Sequence, residues 1–318
     1  MNALENTIAT LIDQEGLPES YANTVQQIIV PLVHYASQLY RSAQRTLVLG
    51  IHGAQGTGKS TLSLFMRELL SKHWNCPTAC FSLDDIYLTR AERWELAERV
   101  HPLLITRGVP GTHDLELGQR VIDQLRSAQP KDETAVPVFD KAMDDRAPAD
   151  DWPVFKGRPA VILLEGWCVG AVAQSKEALI TPVNLLEEQE DTERVWRDFV
   201  NQCLNTTYKD FFSQLDSLIM LKAPSMESVL EWRTLQEHKL AVRIRTAVAA
   251  TDKSKQLQVM SDDEIARFIM HYERITRASL AEMPARAEVV IGVSESHFLS
   301  FKVEPPIHMG YPDRPRDL

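Results

Sequence analysis

Apolar residues recur along this chain with two different spacings. From Tyr21 to Tyr40 they fall at Val25, Ile28, Ile29, Leu32 and Tyr35, which predicts a helix within a helical segment reaching from Met1 to about Gln44. The register then changes to short unbroken apolar runs. TLVLGI from Thr46, TACFSL (Thr78 to Leu83), AVILLEG (Ala160 to Gly166), LIMLKA (Leu218 to Ala223) and EVVIGV (Glu288 to Val293) read as strands. Helical spacing returns between them: Leu62, Phe65, Met66 and Leu69 share one face of a helix over Thr61 to Leu70. A second helix starts near Ser225 and runs through EWRTLQEHKL. A third starts at Ser261, where SDDE forms a capping box with Glu264, and continues through Ile265, Phe268, Ile269 and Tyr272.

Short buried strands alternating with helices predict an α/β fold: a three-layer sandwich with a mostly parallel sheet of five or more strands and helices on both faces. The polar, proline-bearing stretch from Ala128 to Pro159 breaks the alternation and reads as irregular and close to a functional site. The expected organisation is an N-terminal helical extension over 1–44 and one domain over 45–318, with an insert at 101–159 and a helical lid at 225–260.

Composition narrows the class. With 318 residues, 44% hydrophobic and 25% charged, the chain is an ordinary globular protein. A net charge of -10 argues against a nucleic-acid groove, while a local basic pocket for a small anion remains open. No stretch approaches the roughly 18 uninterrupted apolar residues of a membrane span, and the start MNALENTIATLIDQEG lacks the pattern of a signal peptide. Cys76, Cys80, Cys168 and Cys203 make no zinc set and read as reduced thiols of a cytoplasmic protein.

The chemistry enters with GAQGTGKST, from Gly53 to Thr61. Gly53, Gly58, Lys59 and Ser60 satisfy G-x-x-x-x-G-K-[ST] between a predicted strand and a predicted helix. Backbone N–H groups of Gly53, Ala54, Gln55, Gly56, Thr57, Gly58, Lys59, Ser60 and Thr61 would face phosphates, Lys59 would reach the β- and γ-phosphates, and Ser60 would ligate Mg²⁺. Asp84 and Asp85 follow the second strand in SLDDIYLT, where open α/β sheets bind ligands. A carboxylate there can take the proton of an alcohol acceptor, although Asp also favours helix N-caps. Glu165, closing the third strand, is placed to hold a metal-bound water. RGVPGTHD contributes Arg107, His113 and Asp114, and PVFDKAMDDR contributes Asp140, Lys141 and Arg146, a set able to build a positive pocket. The helix around Trp232, Arg233, Gln236 and Glu237 is either a solvated face or a lid bringing an arginine over the phosphates.

These segments, in this order, resemble the P-loop kinases of the phosphoribulokinase, uridine kinase and pantothenate kinase superfamily, and more closely the D-glycerate 3-kinase group. The resemblance spans Thr46 to Val293 and rests on GAQGTGKST, SLDDIYLT, RGVPGTHD, PVFDKAMDDR, LLEGW, EWRTLQEHKL and MSDDEIARFIMHYERIT. It implies transfer of the γ-phosphoryl group of ATP, with Mg²⁺, to a small hydroxy acid. Asp84 matches the superfamily's catalytic base and Glu165 its acidic residue after the Walker B strand. Asp85, Tyr87, Arg107, His113, Asp114, Asp140, Lys141 and Arg146 fall in segments resembling substrate-side motifs, with Arg107 or Arg146 expected on the acceptor's carboxylate. Two departures stand out. Ile86 replaces a common aromatic residue, and only Ala142, Met143 and Asp144 separate the FDK segment from Asp145 and Arg146, where some relatives carry a longer glycine-rich stretch. The competing readings are a kinase for a nucleoside or a pantothenate-like acid, a GTP switch, disfavoured by the lack of an Asn-Lys-x-Asp signature, and a non-catalytic ATP-binding regulator. The oligomeric state is not encoded in any pattern found.

Overall fold

A computed structural model describes residues 2–248 and 260–306. At its centre lies a six-stranded sheet of β1 (Leu47–Gly53), β2 (Thr78–Ser82), β3 (Val161–Gly166), β4 (Ser217–Lys222), β5 (Val289–Val293) and β6 (Leu299–Val303). Their order in space is β6-β5-β4-β1-β3-β2. The first five run parallel, and β6 pairs antiparallel with β5. All five expected strands are present. The sixth carries the alternation Leu299, Phe301, Val303 against Ser300 and Lys302, a period-two signal that short length hides among loop residues.

Every residue of β1, β3 and β5 is buried, the condition that makes parallel strands read as continuous apolar runs. The pleat sends alternate residues to opposite layers: Leu49 and Ile51 join one apolar cluster, Val48 the other.

One layer contains α1 (Ala3–Gln14), α2 and α3 (Lys59–His73). Helix α2 runs from Tyr21–Thr24 through a π-helical turn, Val25–Ile29, into Val30–Ala43. The expected helical segment is thus two helices, parted near Gly16, whose φ of 62° belongs to the left-handed region. Leu62, Phe65, Met66 and Leu69 of α3 are wholly buried against Ile8, Leu11, Ile29 and Leu32. The N-terminal helices therefore share the core of the sheet, and Tyr35 Oη lies 2.9 Å from Ser217 Oγ at the start of β4.

The opposite layer holds α4 (Arg90–Arg99), α5 (Leu115–Ser127), α6 (Leu185–Glu190), α7 (Val195–Asn205) and α8 (Thr207–Phe212). Helix α9 spans Met226–Val248, and α10 spans Asp262–Glu282 behind the expected Ser261–Glu264 capping box. Of the expected lid, residues 249–259 lie outside the described residues. The stretch from Ala128 to Pro159, expected to be irregular, contains two short antiparallel ribbons: Glu133–Ala135 with Val154–Lys156, and Phe139–Asp140 with Asp145–Arg146. Strands of two or three residues are too short to print a periodicity on the sequence.

Candidate active site

The loop from Gly53 to Gly58 leaves β1 at the carboxyl end of the sheet and opens α3 at Lys59. Gly56 and Gly58 hold φ of 82° and 85°, conformations that side-chain-bearing residues resist. Gly53 has a second reason to be glycine, since a Cβ there would come within 2.5 Å of Thr57 Oγ1. Thr57 in turn donates to Ala54 O at 2.8 Å, closing the loop on itself. Below it, His52 is buried with Nδ1 3.1 Å from Val169 O, and burial pushes its pKa down to about 4, so it is neutral at pH 7. The Lys59 side chain forms no hydrogen bond or ion pair among the described residues, and its charge is felt by Asp84.

Across from the loop, Ser60 Oγ donates to Glu165 Oε1 at 3.0 Å. Glu165 Oε2 is buried without a hydrogen-bond partner among the described residues. An orphaned carboxylate oxygen next to a hydroxyl at the phosphate loop suits a hydrated Mg²⁺, whose coordination shell would supply the missing donor.

The end of β2 turns through a 3₁₀ segment, Leu83–Ile86, and the turn separates the two aspartates. Asp85 faces the backbone: its Oδ2 accepts the Ser82 amide at 3.0 Å. Burial pushes its pKa up to about 6, with the Ser82 hydrogen bond opposing and the Asp84 charge reinforcing the rise. Asp84 turns instead to the side chains of Tyr87 and Lys141. Its Oδ1 accepts the Tyr87 hydroxyl at 2.7 Å, and its Oδ2 lies 2.8 Å from Lys141 Nζ. Burial alone would raise its pKa, but the charges of Lys141 and Lys59 and the two hydrogen bonds outweigh it and hold the carboxyl well below its usual range.

The remaining expected residues divide into those that gather around Asp84 and those that support the surrounding backbone. His113 is buried against Tyr87 with ring centroids 4.7 Å apart, its Nδ1 2.5 Å from Tyr208 Oη and its Nε2 without a partner among the described residues. Burial pushes it down to about 3, so it too is neutral. The Arg107 guanidinium lies 5.6 Å from the Phe139 ring centroid and is ion-paired with Asp144. Asp114 caps α5 through the Leu117 amide at 2.8 Å, and its other oxygen takes Arg146 at 3.1 Å. Arg146 also donates to Tyr87 O at 3.0 Å. Asp140 holds the turn of its ribbon by accepting the Ala142 and Met143 amides at 2.8 and 3.1 Å. Asp84, Tyr87, Arg107, His113 and Lys141 thus come together, while Asp85 and Asp140 serve the backbone.

Several residues of the site carry no sequence signal of their own. Arg93 sits in AERWELAER, a run that looks solvated, yet it is 1% exposed and bonds three carbonyls. Tyr272 donates to Arg107 O at 2.9 Å and packs on Gly108, whose φ is 129°. His297 Nε2 lies 3.0 Å from Gly56 O and stacks on Trp232 at 4.5 Å, so the start of α9 covers the outer side of the phosphate loop. Arg233 is paired with Glu237 at 2.7 Å.

A phosphate loop at the end of β1, a carboxylate at the end of β2 and an acidic residue at the end of β3, all on a mostly parallel sheet, define a P-loop small-molecule kinase. The chain belongs to the KAP family P-loop domain, whose profile matches residues 19–277. It is 31% identical over 260 residues to the uncharacterised kinase mug58 of Schizosaccharomyces pombe, covering 79% of this chain and 87% of that one. It is 28% identical to the chloroplastic D-glycerate 3-kinase of Arabidopsis thaliana over 249 residues, 76% of this chain and 50% of that longer protein. In structure it is similar to D-glycerate 3-kinase from Cryptococcus neoformans, with a TM-score of 0.68 at 24% identity over 87% of this chain and 97% of the other. Membership of a P-loop kinase family implies use of ATP. Among the described residues no helix is long and apolar enough to cross a membrane.

Proposed function

We propose that the protein transfers the γ-phosphoryl group of ATP to a hydroxyl of a small hydroxy acid, with D-glycerate as the reference acceptor and 3-phosphoglycerate as its product. The observation that carries this reading is the placement of Asp84, held between Lys141 and Tyr87 within the field of Lys59. Lys59 and the loop amides hold the phosphates. Ser60 and Glu165 would hold Mg²⁺, which when bound would supply charge compensation for the developing phosphate anion. The acceptor oxygen forms its bond to the γ-phosphorus as the bond to the bridging oxygen of ADP breaks, and the hydroxyl proton passes to Asp84. In a loose transition state that proton leaves late, so a carboxylate of low proton affinity still orients the oxygen and collects the proton at the end.

The similarity to proteins named D-glycerate 3-kinase and the cationic side chains Arg107 and Lys141 on the same wall support an acid acceptor. A cytoplasmic setting is supported by the four cysteines, all free thiols in the structure. Measuring ADP release with and without D-glycerate tests the reading. Glycerate-stimulated turnover with 3-phosphoglycerate formed is the expected result, and turnover stimulated by a nucleoside or a pantothenate-like acid instead would replace the acceptor.

A further inference from the structure

Each cation of the acceptor wall already faces a carboxylate of the chain. Lys141 lies 2.8 Å from Asp84, Arg146 lies 3.1 Å from Asp114, and Arg107 is paired with Asp144. An incoming acid therefore finds no surplus charge unless one pair opens. Opening a half-buried pair is costly when it strands one charge without compensation.

The three pairs differ in what opening would strand. Asp84 would lose the cation in contact with it, and Asp114 would keep only the Leu117 amide. Asp144 alone of the three has a second cation in contact. Its Oδ2 lies 2.9 Å from Arg93 Nη2, and the same nitrogen donates to its backbone O at 2.8 Å. Arg93 cannot follow an opening movement, because its Nε and Nη1 donate to Leu88 O at 3.2 Å and Ile105 O at 2.6 Å. Arg107 is 25% exposed, and apart from Asp144 its guanidinium makes no hydrogen bond among the described residues. Asp144 itself stands at φ 54°, fixed in the short turn of the ribbon.

We propose that Asp144 is the resident counter-ion of the acceptor-carboxylate subsite. The acid acceptor takes its place on Arg107, while Asp144 stays neutralised on Arg93. This identifies Arg107, rather than Arg146, as the arginine that binds the acceptor, and it rests on the hydroxy-acid kinase reading above. It also makes Asp144 a determinant of specificity: a neutral alcohol cannot displace a carboxylate from a guanidinium, whereas a small acid can.

The test compares wild type with Asp144→Asn, Asp144→Gly, Arg107→Gln and Arg146→Gln. Asn and Gly both tolerate the left-handed backbone at 144, so agreement between them separates the charge effect from a folding defect. Two readouts are taken: KM and kcat for D-glycerate, and the dissociation constant of propionate, a non-phosphorylatable acid, by ligand-observed NMR. Removing the competing charge lowers the KM for D-glycerate and the propionate constant by about 2–5-fold, the upper scale of one exposed ion pair. Arg107→Gln raises both by at least about tenfold, and Arg146→Gln changes them less. A rise in either constant in Asp144→Asn and Asp144→Gly would overturn the proposal, since Asp144 would then be orienting Arg107. So would loss of propionate binding in Arg146→Gln with retention in Arg107→Gln, or propionate binding to neither wild type nor Asp144→Asn. If wild type leaves D-glycerate unphosphorylated, the D-glycerate kinase reading is what fails, and the propionate titration decides the exchange independently.

Discussion

Lys141 Nζ and Asp84 Oδ2 stand 2.8 Å apart at the mouth of β2, joining the ribbon of the insert to the end of the sheet. The pair explains how a half-buried carboxylate stays charged, because burial raises its pKa and the ammonium reverses that tendency. Replacing Asp84 with Asn lowers kcat by about 10²–10⁴-fold, the worth of a general base, while binding of a fluorescent ATP analogue stays near the wild-type level. An equal loss of nucleotide affinity would tell against a role confined to the acceptor. Lys141→Gln makes a separate prediction. Burial then acts unopposed by the nearest cation, so the pKa of Asp84 rises and the acid limb of the kcat/KM profile moves up by roughly one unit or more. A limb that stays in place would show that another group governs it.

The phosphate loop gives a prediction about shape. Gly56 and Gly58 share nearly the same φ, 82° and 85°, but their surroundings differ. A Cβ on Gly56 would lie 2.6 Å from Trp232 Cβ, whereas one on Gly58 would meet nothing within 4 Å. Gly58→Ala therefore carries the conformational strain alone, about 1–2 kcal/mol. Gly56→Ala adds a clash with the start of α9 and lowers the melting temperature of the nucleotide-free protein further. Because the obstructing atom is a Cβ, Trp232→Ala does not rescue it. Equal melting temperatures for the two glycine variants would contradict this packing.

The contrast between these glycines shows what the chain makes legible. The loop motif, the five parallel strands and the Ser261 capping box are local, so periodicity and spacing are enough to find them. SLDDIYLT is legible as a candidate site but not in the division between its aspartates, because only the 3₁₀ turn decides that Asp84 meets Tyr87 and Lys141 and Asp85 the Ser82 amide. Arg93 was not legible at all. Its partners Leu88, Ile105 and Asp144 are brought together by tertiary folding, and a buried arginine in a charged helical run looks the same in sequence as a solvated one. The same limit hid the contact of His297 with Gly56, which spans 241 positions.

The layer opposite the phosphate loop depends on a buried ion pair. Arg274 of α10 lies 2.5 Å from Glu187 of α6, with side chains 7% and 0% exposed, and it also donates to Thr181 O at 2.7 Å. Arg274→Met leaves the Glu187 carboxylate without its cation and costs about 3–5 kcal/mol, read from urea unfolding at pH 7. The double variant Arg274→Met with Glu187→Met is expected to recover part of that loss, since neither charge is then stranded. A double variant no more stable than the single one would mean that the backbone hydrogen bonds of Arg274, rather than the ion pair, hold α10 in place.

Three buried histidines among the described residues contribute to the response to acid. Burial pushes His52 and His271 down to about 4 and His113 down to about 3. In the unfolded chain each titrates near its ordinary value of about 6.5, so unfolding takes up protons that the folded protein refuses. The sign follows directly: their contribution to stability is complete above pH 6.5 and is lost as pH falls toward 4 and then 3. Each can remove up to about 1.4 kcal/mol per pH unit within that window. Asp85 works in the opposite direction. Its pKa of about 6 lies above the unfolded value, so its contribution is present at low pH and lost as pH rises through 6, which offsets part of the histidine slope. Urea unfolding at pH 7, 6 and 5 should show falling stability with acid. His113→Asn, which removes one of the three titrating groups, should be less stable at pH 7 yet less steep below pH 6.5. An unchanged slope in that variant would show that His113 is not among the groups taking up protons on unfolding.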